Sequence, residues 1–192
     1  RDAQESRGLG DVYKRQDCLK KISYLNSRMQ AVLEYSAMAQ FNTKEEFMEG
    51  NLFDFIEEYA MNILNRSDRL KVQVVRSDTE GIEMKFVPQN IAIILDNVVS
   101  NSTKYNANEL RVLLGKDEKQ YTIDFIDDGD GVSSDIADLN ELFEFGKGYT
   151  LTGTGVGLYH IKDIVEKDLQ GTVTIESEPQ KGFALHVRFG KV

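Results

Sequence analysis

The hydrophobic pattern of the chain is clearest from Pro88 to Tyr105, PQNIAIILDNVVSNSTKY. There Ile91, Ile94, Leu95, Val98 and Ser102 recur at the three-and-four spacing of a core-facing helix. Pro88 fits the first turn, where its missing N–H costs nothing. A second face carries Asn90, Asn97, Asn101 and Lys104 at i, i+7, i+11 and i+14, so two amides and an ammonium can address one ligand. A solvated polar face is the alternative, but asparagine is a poor helix former.

Upstream, Ile22, Leu25, Met29, Val32, Ser36 and Ala39 form a narrow 3-4 seam that predicts a helix packing on a partner helix, or an amphipathic helix lying on its own domain. Phe41 to Gly50 is polar and breaks it. Asn51 reads as an N-cap with Asp54 three residues on, opening a helix through Phe55, Ile56, Tyr59, Ile63 and Leu64. Leu70, Val72 and Val74, then Ile82, Met84 and Phe86, alternate with polar residues. Joined by the Ser77–Gly81 turn, they predict a hairpin. Leu110, Val112 and Leu114 predict a strand, and Tyr121, Ile123 and Phe125 another.

Residues 129–157 are glycine-rich and irregular, with a short helix expected around Ile136, Leu139 and Leu142. A helix from Gly157 to about Lys167 would bury Leu158, Ile161 and Val165. Val173 and Ile175, then Phe183, Leu185, Val187 and Phe189, close the chain as two strands around a turn with Gly182. Strands mixed with helices, without regular β-α-β alternation, imply an α+β sandwich.

Composition narrows the function classes. The chain has 192 residues and a formal net charge of −9, which argues against a phosphate-tracking surface and a nucleic-acid partner. The single cysteine, Cys18, allows neither an internal disulfide nor a thiolate metal site and suits a reducing compartment. No apolar run approaches membrane-spanning length, so a cytoplasmic segment is expected, with an upstream membrane anchor still open. Residues 1–16 show no apolar period and read as a tail. RGLGDVYKRQ within them looks like translated sequencing adaptor, so the natural N-terminus is expected to be missing.

Two further clusters suggest chemistry. In Ile126-Asp127-Asp128-Gly129-Asp130-Gly131 a strand ends in a carboxylate and two glycines. A carboxylate at the mouth of a core accepts from an exocyclic amine such as adenine's and repels guanine's carbonyl. The glycines let the backbone approach a flat ring. A surface turn or weak calcium loop is the other reading, and an EF-hand fails for lack of the twelfth-position glutamate and an entering helix. Gly153-Thr154-Gly155-Val156-Gly157-Leu158 opens a helix, a place where consecutive N–H groups hold phosphate oxygens. No βαβ unit surrounds it, so it is not a dinucleotide fingerprint. Between the clusters, Phe143, Phe145, Lys147, Gly148, Tyr149 and Thr150 have the composition of a short hinged lid.

In this order and spacing the elements resemble the N, G1, F and G2 boxes of the ATP-binding domain of sensor histidine kinases, in the larger family that includes gyrase, Hsp90 and MutL. The resemblance covers about residues 50 to 192, and GTVTIESEPQKGFALHVRF looks like that family's closing strands. It implies a Bergerat-type fold, an α+β two-layer sandwich of a mixed, mainly antiparallel sheet with helices on one face. It divides the chain into a tail (1–16), a partial dimerisation-type helix (17–48) and an ATP-binding catalytic domain (49–192).

Carried over by position, the resemblance implies that Asn101 ligates Mg²⁺ through its amide oxygen, that Asn97 supports the metal and phosphates, and that Lys104 offsets phosphate charge. Tyr105 packs on adenine, Asp127 takes the adenine amine, and Gly129 and Gly131 wall the base. Gly153, Gly155 and Gly157 cradle the phosphates together with Thr154, Val156 and Leu158, Phe143 seats the lid, and Lys147 joins the nucleotide-binding positions.

Relatives that hydrolyse ATP carry glutamate where this chain has Asn97. Asp96 lies about 100° around the helix and should not substitute. Transfer to a protein side chain, driven by positioning and metal charge, fits better.

The departure is the acceptor. Only His160 and His186 exist, one expected off the buried face of its helix and one in the outward phase of the last strand. The acceptor histidine is therefore expected on a dimerisation helix outside this sequence or on another chain. A response regulator and a homodimer of the full protein follow from the resemblance. A nucleotide-gated interaction module without transfer, or an anti-sigma-type serine kinase, are the alternatives. The lid sequence of the latter is not found here.

Overall fold

The computed structural model describes residues 46–62, 64, 69–77, 81–116, 119–147 and 154–190, together with Ile22 and Met29. The tail and nearly all of the seam helix lie outside the described residues. Ile22 and Met29 are themselves helical and exposed.

A five-stranded sheet has the order β2-β4-β5-β7-β6, built from β2 (Lys71–Arg76), β4 (Glu109–Lys116), β5 (Gln120–Asp127), β6 (Thr172–Ser177) and β7 (Phe183–Gly190). β2 runs parallel to β4 and every other pairing is antiparallel, giving the expected mixed sheet. Alternation decides which face is covered. Leu110, Val112, Leu114, Ile123, Phe125, Leu185, Val187 and Phe189 all turn to one side and are buried. They share a core with α1 (Leu52–Asn62), α2 (Pro88–Lys104) and α3 (Gly157–Lys167). On the other side lie half-buried polar groups, among them Asp124, His186 and Arg188. This is the two-layer arrangement expected from the sequence.

The helices form where their local chemistry directs. Asn51 caps α1, its Oδ1 accepting from the N–H of Phe53 at 3.0 Å and of Asp54 at 3.2 Å. α2 buries Ile91, Ile94, Leu95, Val98 and Ser102, the five positions picked by periodicity. Between β5 and α3 the short helix is a single 3-10 turn, Leu139–Phe143, with Asp138 as its cap.

The expected 70–86 hairpin does not form. β2 pairs with β4, whereas β3 (Glu83–Phe86) pairs antiparallel with β1 (Met48–Asn51) in a separate two-stranded sheet. Alternation fixes a strand's faces but not its neighbour, and here the α1 cap decides the neighbour. Asn51 Oδ1 also accepts from Ile82 N at 3.3 Å, and Leu52 N donates to Ile82 O at 2.8 Å. Gly81 turns the chain at φ +71°, with the position of an added Cβ only 2.3 Å from the Asn51 amide. Phe86 then packs edge-on against Phe55 with centroids 5.4 Å apart. β1 was not anticipated, because MEGN offers no hydrophobic alternation.

His160, expected off the buried face of α3, is instead buried. α3 is contacted by α2, the 3-10 turn and β6, so its covered arc is wider than the Leu158/Ile161/Val165 stripe. His186 does occupy the outward phase of β7, and its Nδ1 lies 2.8 Å from Asp124 Oδ1, beside the Arg188 guanidinium.

Asp96 turns toward α1, where both its carboxylate oxygens lie 3.0 Å from the Tyr59 hydroxyl. Burial and this carboxylate push the Tyr59 phenol from 10.0 up to about 12. The folded chain thus holds this proton more tightly than the unfolded chain. The stability it contributes is complete below pH 10.0 and is lost as the pH rises through about 12. Urea unfolding across that window should show a falling stability that Tyr59→Phe flattens. An unchanged slope in the variant would assign the loss to other groups.

Candidate functional site

Asn97, Asn101 and Lys104 lie on the C-terminal half of α2. At its end Tyr105 is the C-cap, and the Lys104 ammonium sits 5.1 Å from the Tyr105 ring centroid. The loop after β5 is laid across this end. Asp130 N donates to Tyr105 O at 2.9 Å, and Asn106 Nδ2 donates to Asp130 Oδ2 at 2.6 Å. A Cβ on Gly129 would stand 2.6 Å from Tyr105 O, and one on Gly131, at φ +69°, 2.2 Å from Glu178 O. Both glycines are therefore required by packing within the chain, whatever approaches from outside.

The two adjacent aspartates divide the work. Asp128 Oδ1 accepts from Asn108 N at 2.7 Å and Glu109 N at 2.9 Å. The Glu109 amide, followed by that of Asn108, holds this carboxyl below the usual carboxylate range in spite of its partial desolvation. Asp127 is 9% exposed at the end of β5. Its Oδ1 accepts from Gly129 N at 3.0 Å and Phe183 N at 3.1 Å, and its Oδ2 from Ser102 Oγ at 2.7 Å. Three donors thus converge on this one buried carboxylate.

One turn back along α2, the Asn101 side chain is half-buried and has no hydrogen-bond partner among the described residues. Asn97 turns its Nδ2 back to Ile93 O at 2.8 Å. Its Oδ1 is left facing Gly157, where a Cβ would sit 2.6 Å away. Gly157 begins α3, whose N-cap, Val156, offers no side-chain acceptor. First-turn N–H groups without a side-chain cap, carrying the positive end of the helix dipole, suit an anion. Asn90, which shares the polar face, is elsewhere engaged: its Nδ2 donates to Asp168 Oδ2 at 2.6 Å, at the far end of α3.

Of the second glycine cluster, Thr154, Gly155 (φ +68°), Val156, Gly157 and Leu158 are described, and Gly153 lies outside the described residues. Val156 is buried and Leu158 half-buried. The residues flanking 148–153 are tied together, with Gly146 N donating to Gly155 O at 3.0 Å. Phe143 is 4% exposed in the core, with the Lys162 ammonium 5.5 Å from its ring centroid. Lys147 is exposed and its Nζ lies 2.9 Å from Glu144 Oε2 and 3.1 Å from Glu141 Oε2. These carboxylates hold the ammonium charged to well above the usual lysine range. A polyanion would draw Lys147 away from them only by exchanging one exposed pairing for another.

The glycine clusters, Asp127 and the amide row thus meet along one helix rather than on opposite sides of the molecule. Pattern reading missed the donors that hold Asp127. Ser102 was visible only as a member of the buried stripe, where a hydroxyl is the anomaly that signals a buried partner. Among the described residues no group of three or more His, Cys, Asp or Glu could hold a metal ion. A divalent cation here would depend on amide and phosphate oxygens, a pattern that suits Mg²⁺. No described helix is long and apolar enough to cross a membrane.

Known proteins resemble this chain in sequence and in fold. Residues 86–191 match the family described as Histidine kinase-, DNA gyrase B-, and HSP90-like ATPase. Sensor protein kinase PilS of Pseudomonas aeruginosa is 27% identical over 172 residues, a stretch that covers 86% of this chain and 31% of that protein. The chain therefore spans less than a third of this relative's length. Among solved structures, the catalytic domain of histidine kinase ThkA superposes with a TM-score of 0.62 at 19% identity, over 76% of this chain and 96% of that one. Acinetobacter baumannii histidine kinase AdeS gives 0.60 at 14% identity, over 91% and 82%. The ATP binding domain of PrrB from Mycobacterium tuberculosis gives 0.60 at 18%, over 76% and 98%. At these identities the structural likeness establishes the fold.

Proposed function

The chain belongs to the histidine kinase-, DNA gyrase B- and HSP90-like ATPase family, and from that premise we propose that it is the ATP-binding part of a sensor histidine kinase. In this reading it binds Mg·ATP and passes the γ-phosphate to a histidine on a dimerisation helix. The observation that carries the proposal is the convergence of Asp127, the Asn97/Asn101 row and the uncapped N-terminus of α3 along α2.

Each group then has a task its chemistry suits. Asp127 accepts the adenine amine while Tyr105 and the Gly129–Gly131 backbone flank the base. The first-turn amides of α3, with Thr154, Gly155 and Gly157, hold phosphate oxygens, and Gly153 and Leu158 belong to the same loop. Lys104 and Lys147 supply positive charge from two sides. Asn101 would hold Mg²⁺ through its amide oxygen, and the bound ion supplies charge neutralisation on the phosphates.

Transfer is favoured over hydrolysis by the side chain at position 97 and by where Asp96 points. Activating a water requires a base within hydrogen-bond reach. Asn97 is no base, and the Asp96 carboxylate is engaged by Tyr59 on the other side of the helix. Both histidines of the sequence sit in structural settings, His160 in the core and His186 against Asp124. The acceptor therefore belongs to a dimerisation helix outside this sequence or on another chain, with a homodimer and a response regulator as the further partners.

The test is to incubate the chain with Mg²⁺, ATP labelled at its γ-phosphate, and a dimerisation domain bearing a histidine. An acid-labile phosphohistidine is expected. Tight ATP binding with no label transferred would leave a nucleotide-gated interaction module instead.

Base recognition is tested separately. In Asp127→Asn the new NH₂ group must face either the two backbone N–H donors or the Ser102 side. Placed toward Ser102, it confronts the incoming amine with a donor. ATP affinity should fall by about 1–3 kcal/mol, read by calorimetry. An unchanged affinity would take Asp127 out of the pocket.

A further inference from the structure

Three buried polar side chains are found among the described residues, Ser102 at 1% exposure, Asp127 at 9% and His160 at 8%. Two of them bond to each other, Ser102 Oγ to Asp127 Oδ2 at 2.7 Å. Ser102 occupies the last position of the apolar stripe of α2, one residue beyond Asn101. We infer that Ser102 is a positioning residue of the base pocket, and that its hydroxyl, locked as a donor to Asp127, sets the preference for a 6-amino over a 6-oxo purine. The inference rests on the nucleotide-binding reading above.

The direction of the bond carries the inference. An ionised carboxylate only accepts, so the single hydroxyl hydrogen of Ser102 is committed to Oδ2, and Ser102 has only lone pairs left to offer. Oδ1 already takes two N–H groups, from Gly129 and Phe183, which fills its usual capacity. Any further donor must come to Oδ2. The recognition edge therefore consists of acceptors held by three anchors: the loop after β5, the start of β7, and α2. A 6-amino group meets lone pairs it can donate to. A 6-oxo group brings more lone pairs and is repelled.

Removing the hydroxyl frees one anchor and opens Oδ2 to water. Water can turn to donate as readily as accept, so it can bridge to a carbonyl that Ser102 excludes. Selectivity between purines should fall more than affinity for either one.

The measurement is the dissociation constant of the full chain for Mg·ATP and for Mg·ITP, by calorimetry, in the wild type and in Ser102→Ala and Ser102→Thr. The wild type should prefer ATP by about tenfold or more, as expected where a charged hydrogen bond is at stake. Ser102→Ala should narrow that ratio about fivefold or more, a coupling within the range of residues that share a partner. Ser102→Thr keeps the hydroxyl and should hold the wild-type ratio to within about twofold. Cooperative thermal unfolding checks that each variant is folded. Should alanine not be tolerated, Ser102→Cys, of similar size but with a much weaker donor, is expected to show the same narrowing.

Variants that change ATP affinity at a constant ratio, or alanine and threonine that shift the ratio equally, would overturn the role assigned to Ser102 and leave the nucleotide site standing. A wild-type chain that binds neither nucleotide would overturn both.

Discussion

Asn101→Ala is expected to lower γ-phosphate transfer to a histidine-bearing dimerisation domain by about 100-fold or more, the usual loss when one electrostatic stabiliser of a transferring group is removed. Its effect on the fold should be small, within about 1 kcal/mol, because no described residue hydrogen-bonds to its side chain. Loss of transfer without loss of stability is the signature of a side chain whose partner is a ligand. ATP binding should weaken in the presence of Mg²⁺ and change little in its absence, since the amide oxygen acts through the ion. Comparison of transfer rates with calorimetry at both metal conditions checks this. Transfer within about threefold of wild type would remove Asn101 from the chemistry.

Gly182→Ala is expected to destabilise the chain by more than about 3 kcal/mol, combining a strained backbone with an overpacked contact. Gly182 has φ +87°, and an added Cβ would lie 2.0 Å from the carbonyl oxygen of Asp127 and 3.0 Å from its carbonyl carbon. Nothing there can yield without moving the end of β5. Whatever fraction stays folded should also bind ATP poorly, because the displaced backbone carries the carboxylate. Gly190→Ala is the control: at that position nothing lies within 4 Å, and stability should stay within about 0.5 kcal/mol. Denaturant titrations of both variants decide. Equal stabilities would mean that the β6–β7 turn relaxes far more freely than its contacts imply.

What the sequence made legible depended on the kind of information each element carries. α2 was read to the residue, since Ile91, Ile94, Leu95, Val98 and Ser102 are its buried positions, because a helix records its buried face in its own spacing. α3 was read in extent, but its buried face was drawn too narrow. The three elements packed on α3 are set by the tertiary arrangement, which periodicity does not encode. The 70–86 hairpin failed for a related reason. Both strands exist, yet the choice of β4 for one and β1 for the other depends on an asparagine cap some thirty residues earlier in the chain, about which alternation is silent. At the candidate site, Asp127 and the glycines stand out in the sequence by type and order, whereas the Lys147 clamp by Glu141 and Glu144 and the bond from the Ser102 hydroxyl to Asp127 are visible only in the contacts. An exposed lysine among glutamates is too common in sequence to single out, and a serine in an apolar stripe signals a buried partner without saying which.

The hydrogen bond between Gly146 N and Gly155 O bears on how this protein could be re-engineered. It pins the two stems of the intervening segment at a fixed spacing, so the entropy of bringing them together is already spent by the rest of the domain. Each doubling of such a loop adds only about 0.6 kcal/mol. The stretch between these stems is in effect an exchangeable cassette: loops of other lengths could be spliced in at Gly146 and Gly155 with the helix termini and the amide row left in register.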